Sequence, residues 1–166
     1  MKASILETAY LQLLTKDHML LIPSSDGKDT FENSTHLFPM GLDEDTEIDD
    51  TDASALPTSQ QIHDVYELRT DGDFRAIFSS ISSNLDELCL TQAQIMLFAE
   101  WYTPWLKPGG NATFFLYKRA GQYRVALIYN YPLGLSVSRH PFDSPISWSS
   151  KYALRVVVPR TAKKSK

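Results

Sequence analysis

The chain has 166 residues, 43% of them hydrophobic, with 20 acidic and 16 basic side chains and a net charge of −4. That accommodates one modest globular domain plus a less ordered segment. The single cysteine, Cys89, excludes an internal disulfide framework and a cysteine zinc cluster, and no apolar run reaches the ~20 residues of a membrane span.

The net charge conceals a polarity. Residues 1–100 hold 19 acidic and 5 basic side chains, a balance of −14; residues 101–166 hold 11 basic and 1 acidic, a balance of +10. Asymmetry of this size between halves points to a charged partner or an interaction tail.

In chain order, Ile5, Leu6, Ala9, Leu13 and Leu14 share a helical face, which predicts a short N-terminal helix within residues 1–22, stopped by Pro23. Glu7 interrupts the opening apolar residues and no small-residue cleavage pattern follows, so the N-terminus is a poor signal peptide and the expected address is cytoplasmic. Residues 23–60 read as an acidic, disordered linker. Asp26, Asp29, Glu32, Asp43, Glu44, Asp45, Glu47, Asp49, Asp50 and Asp52 oppose Lys28 alone, and apolar residues are sparse. The tract is not an EF-hand loop: counted from Asp43, the glycine place holds Ile48 and the glutamate place Ser54.

Residues 61–160 carry the predicted domain. The alternation at 64–69 reads as a strand, although Thr58 and Gln61 have the spacing to cap a helix through Ile62, Val65 and Tyr66. Thr70 and Asp73 look like a capping box for a helix that buries Phe74, Ile77, Phe78 and Ile81 and runs to about Ser83. The best-specified helix follows. Thr91 and Gln94 form a second box, Leu90 and Ile95 a hydrophobic staple, and Ile95, Phe98, Ala99, Tyr102, Trp105 and Leu106 one apolar stripe. Pro104 should end it near Thr103.

Aromatic and β-branched residues at 113–118 predict a strand with both faces at least partly covered. Ala120-Gly121 marks a tight hairpin. The next strand sets Tyr123, Val125, Leu127 and Tyr129 against Arg124, Ala126 and Ile128. Leu135 and Val137 then alternate with Ser136 and Ser138. Residues 140–145 read as a loop, Tyr152 to Val158 as the last strand, and residues 161–166 as a basic tail. The predicted fold is α+β: a four- to five-stranded, mostly antiparallel sheet packed on one face by two helices.

Leu88-Cys89-Leu90-Thr91-Gln92-Ala93-Gln94-Ile95, Ala112-Thr113-Phe114-Phe115-Leu116 and Arg155-Val156-Val157-Val158-Pro159 resemble segments of a family of small bacterial proteins with no assigned activity. The resemblance spans about the last hundred residues and implies no catalytic or binding residue.

No enzyme motif occurs. The four histidines, His18, His36, His63 and His140, stand at no metal spacing from one another or from Cys89. Cys89 reads as a small apolar residue. Asp86 and Glu87 are adjacent and do not converge as an acid–base pair. Lys107-Pro108-Gly109-Gly110-Asn111 lacks the Walker spacing. Catalytic residues, metal ligands and cofactors are therefore all assigned as none. The binding residues predicted are Phe115, Tyr117, Lys118, Arg119, Arg124 and Arg155, on or beside a sheet face turned away from the helices, where Ser136 and Ser138 would also lie and where Phe114 with Leu116 is the alternative to Phe115 with Tyr117. The expected function is a non-enzymatic interaction module with a protein partner or with itself, through an edge strand or Trp101, Trp105 and Trp148, and with its basic face regulated by its own acidic linker. The alternatives are a single-stranded nucleic-acid or RNA-binding accessory protein, with aromatics stacking bases, and a small hydrolase without a recognisable motif.

Overall fold

The computed structural model describes residues 7–42 and 56–160. Seven strands form one mixed sheet: β1 (Leu11–Leu13), β2 (Leu20–Ile22), β3 (Gln61–Leu68), β4 (Ala112–Arg119), β5 (Gln122–Tyr131), β6 (Gly134–Pro141) and β7 (Arg155–Pro159). The order is β1-β3-β7-β4-β5-β6, with β2 also on β3. One edge of β3 takes β7, so β1 and β2 share the other, β2 opposite Gln61 to His63 and β1 opposite Tyr66 to Leu68. All pairings are antiparallel except β4 with β7, which is parallel.

Both faces of the sheet are buried, and the two helices lie on opposite faces. Helix α1 (Phe74–Ser79) sets Phe74, Ile77 and Phe78 on Phe114, Leu116, Val125, Leu127 and Val156. Helix α2 (Gln92–Trp101) sets Ile95, Met96, Phe98 and Ala99 on Val65, Phe115, Ala126, Ile128 and Val157. A sheet covered twice needs apolar residues of both phases, which explains the near-continuous hydrophobic run of β4 and the three valines of β7. The predicted α+β class holds. The four- to five-stranded, mostly antiparallel sheet with helices on one face is replaced by seven strands and two cores, because β7 inserts between β3 and β4 instead of ending a meander.

The predicted N-terminal helix is also corrected. From Glu7 onwards its described part holds β1, whose Leu11 and Leu13 are buried with Gln12 between them, a period of two. The free edge of β3 supplies hydrogen bonds that outweigh a weak helical stripe. Asp73, not Thr70, caps α1, accepting from the Ala76 N–H at 2.8 Å, and the helix stops at Ser79. Residues 61–68 are strand throughout. His140 belongs to β6 instead of a loop.

The first half of the predicted linker is part of the fold. Phe31 and Phe38 are buried on the α2 face, and Phe31 meets the Tyr117 ring edge-on at 5.7 Å. The Phe31 N–H donates to Gln92 Oε1 at 2.9 Å. Residues 40–42 then bond to the outer edge of β6, Met40 N–H to Leu135 O at 2.9 Å and Val137 N–H to Gly41 O at 3.0 Å. Gly134 permits this approach: its φ is +139°, and a Cβ there would run into Pro39. The acidic tract 43–52, the first residues 1–6 and the basic tail 161–166 lie outside the described residues.

A buried ion pair ties β3 to the end of β7. Asp64 Oδ1 accepts from Arg160 Nη2 at 2.7 Å and from the Thr15 hydroxyl at 2.8 Å. Arg160 Nη2 also donates to His18 O at 2.9 Å, which fixes the turn between β1 and β2. No helix among the described residues is long and apolar enough to cross a membrane.

Candidate functional site

Residues paired across a sheet point to the same side. Tyr117 pairs with Arg124, which pairs with Pro141; Phe115 pairs with Ala126, which pairs with Arg139; Arg119 pairs with Gln122. This register gathers Arg119, Arg124 and Arg139 around Tyr117 on the α2 face, at the end of the sheet beyond the helix. Arg119 and Arg139 are only 5% and 7% exposed, and Arg124 is half-buried. Burial pushes the Tyr117 phenol above its ordinary value, while Arg124 first, then Arg139 and Arg119, pull it the other way. Arg139 is ion-paired with Glu32, which the buried Phe31 carries to this spot.

Around the end of β5 and β6 lies a cleft of about 150 Å³, lined by Arg75, Gln122, Tyr123, Arg124, Phe142 and Asp143 among others. Arg75, from α1, lies 5.0 Å above the centre of the Phe142 ring. By register the Arg124 side chain stays with Tyr117 on the α2 face, whereas Arg75, Tyr123 and Phe142 belong to the α1 face of the cleft. Next to it, Asp86 accepts from the Tyr123 hydroxyl at 2.6 Å and from Lys118 Nζ at 3.1 Å. These two bonds, Tyr123 the stronger, lower the Asp86 carboxyl below its usual range; the same bond pushes Tyr123 up to about 12.

The sequence-predicted binding residues separate into three groups. Arg119 and Arg124 meet at the cluster. Phe115 and Tyr117 share their face but are fully buried under α2, Phe31 and Phe38, so neither ring can stack a base without opening the core. Lys118 is exposed on the opposite side, and Arg155, on the α2 face at the far end, donates to Trp105 O at 3.1 Å. Arg124 and Arg155 do share a side, but Ser136 and Ser138 pair with Tyr129 and Leu127 on the other. An open basic sheet face is thus replaced by a cationic end. Sequence reading missed Arg139, Glu32 and Arg75. The first had a signal: it continues the phase of Leu135 and Val137, an arginine on the buried side of a strand.

The tryptophans do not form one patch. Trp101 is 57% exposed on α2, Trp105 packs against His18 at 5.0 Å, and Trp148 joins the α1-face core beside Phe114 at 5.2 Å. The outer edge of β6 is already bonded by residues 40–42. Cys89 is half-buried, its thiol 3.5 Å from Leu85 O, and burial pushes it up to about 12, away from thiolate chemistry. Ser138 Oγ and His140 Nε2 are 3.3 Å apart, a contact that follows from their two-residue spacing on β6. Among the described residues no group of three histidine, cysteine or carboxylate side chains could hold a metal ion.

Comparison with protein-family models, with curated proteins and with solved structures found no match.

Proposed function

We propose that this protein is a non-enzymatic binding module that takes an acidic polypeptide partner at the arginine-lined end of its sheet. The observation that supports this reading is the convergence of Arg119, Arg124 and Arg139 on one side at the end of the sheet, where Arg124 is half-exposed. Guanidinium groups are planar, permanently charged and weakly hydrated, which suits them to partly buried sites that accept carboxylates. Held by strands instead of loops, they lose little freedom on binding. The nucleic-acid alternative loses its stacking platform with the burial of Phe115 and Tyr117.

The chain carries a competitor for such a partner. Seven carboxylates lie between Asp43 and Asp52, and a tether holds its cargo at an effective concentration of the order of millimolar. A competitor of about millimolar affinity would be half engaged, weakening a partner about twofold.

The test is titration of a Glu-rich peptide, and separately of a thymidine oligonucleotide, into the full chain at several salt concentrations. Peptide binding that weakens steeply with salt, and that tightens at least about twofold when the acidic residues of 43–52 are changed to Asn and Gln, supports the proposal. Binding of the oligonucleotide in preference to the peptide, or of neither, overturns it.

A further inference from the structure

We infer that the end of the sheet opposite the arginines is a docking surface for a basic polypeptide partner, which seats an apolar pocket on Met40, Tyr131 and Leu133 and pairs its cations with the acidic tract that begins at Asp43. This surface is separate from the arginine-lined end, and either assignment can fail without the other.

Three features carry it. The first is exposed apolar surface without charge. The turn between β5 and β6 presents Pro132 and Leu133, with Tyr131 paired to Gly134 at its base. Leu133 is 81% exposed, Met40 43% and Tyr131 37%, and Pro39 and Pro132 are exposed beside them. No charged residue occurs in 37–42, 108–117 or 127–138, the stretches that supply this end. Contiguous exposed apolar groups mark protein-binding surfaces. The second feature is that the surface is set in advance. A Cβ on Gly134 would run into Pro39, and one on Gly110 would come within 3.0 Å of the Tyr131 ring. Tyr131 stacks on Tyr129 at 6.1 Å, and the Met40 N–H donates to Leu135 O at 2.9 Å. These contacts join turn, strap and residues 108–110 into one surface, which therefore loses little freedom on binding. The third feature sets the sign of the partner. Three residues beyond Met40 the acidic tract begins, with seven carboxylates and no lysine or arginine between Asp43 and Asp52. Three residues of chain span about 11 Å at most. A partner covering the apolar end meets carboxylates at its rim, where its own cations are attracted and its own carboxylates repelled.

The experiment uses the full chain and a blocked amphipathic peptide of Leu and Lys, spaced so that a helix carries leucine on one face and lysine on the other. In a control peptide Gln replaces each Leu. The Met40 methyl resonance should shift as the Leu/Lys peptide is added. Leu133→Ser should weaken that peptide about tenfold, while Leu56→Ser, at a leucine 83% exposed outside this surface, should change it less than about twofold. Changing the acidic residues of 43–52 to Asn and Gln should weaken it at least about fivefold and flatten its salt dependence, the opposite of the tightening expected for a Glu-rich peptide. The inference is overturned if Leu133→Ser binds as tightly as the natural chain, if the Gln/Lys control binds as tightly as the Leu/Lys peptide, or if neutralising the tract leaves affinity unchanged. Phosphatidylcholine vesicles that hold the chain more tightly than the peptide does would also overturn it, assigning the apolar end to a lipid surface.

Discussion

The two faces of the sheet are built from the same strands and end in different chemistry. The α1 face is closed by α1 from above and by Leu11, Leu13, Phe142 and Leu154 around it, an apolar core for most of its extent. The α2 face has an equally apolar middle, but its far end holds three arginines and is closed by Phe31, Phe38 and Glu32 from a segment that composition marks as linker. A face covered by a helix can be wholly apolar. One covered by a polar, acidic strap accommodates buried cations, because the strap brings its own carboxylate. The difference between the faces is therefore a difference between their covers.

The strongest way to break this comparison is to remove the covers one at a time. Phe31→Ala and Phe78→Ala each empty a fully buried site and should each cost about 3–5 kcal/mol in urea denaturation. Of the two, Phe31→Ala alone should also alter peptide affinity, since it unseats Glu32 from Arg139. An equal effect of Phe78→Ala on affinity would erase the distinction. Arg160→Ala, which strands the buried Asp64 carboxylate on β3, should cost about 3 kcal/mol without touching the arginine cluster.

A second lever separates the faces by pH. His63 is fully buried on the α2 face, edge-on to Phe98 at 6.1 Å, and burial pushes it down from 6.5 to about 4. As pH falls below 6.5 the unfolded chain takes up the proton first, so stability is lost between pH 6.5 and 4 and is complete above that window. The loss amounts to about 3 kcal/mol. His63→Leu should abolish that part of the pH dependence, measured as the difference in urea midpoints between the variant and the natural chain. A difference that stays constant from pH 7 to 4 would show that His63 charges freely.

Smaller effects sharpen the picture. Thr91→Ala removes the cap of α2, whose hydroxyl accepts from the Gln94 N–H at 3.1 Å, and should lower the melting free energy by about 1 kcal/mol. Ala120 sits at φ +52° in the β4–β5 turn, so Ala120→Gly should stabilise by about 1 kcal/mol.

What the sequence made legible was local. The Thr91–Gln94 box, the Ala120-Gly121 turn and the twice-covered character of residues 113–118 depend on neighbours within a few positions, and each is found as expected. What stayed hidden was decided at a distance. Three-residue strands such as β1 and β2 are too short to establish a period. No local signal tells which side of a sheet a helix will take, nor that β7 slips between β3 and β4. Phe31 and Phe38 look isolated in an acidic tract, yet two large rings suffice to seat it once Tyr117 offers a surface. The candidate site was half visible for the same reason. Arg119 and Arg124 follow from strand alternation, whereas Arg139 and Glu32 join them only through pairing and packing.

The most direct test of the account is the salt dependence of Glu-rich peptide affinity for the natural chain set against Arg124→Gln. Affinity that falls with rising salt, and falls less steeply once Arg124 has lost its charge, is the predicted result. Identical salt dependence in the two proteins would contradict the assignment of the arginine-lined end as the binding site.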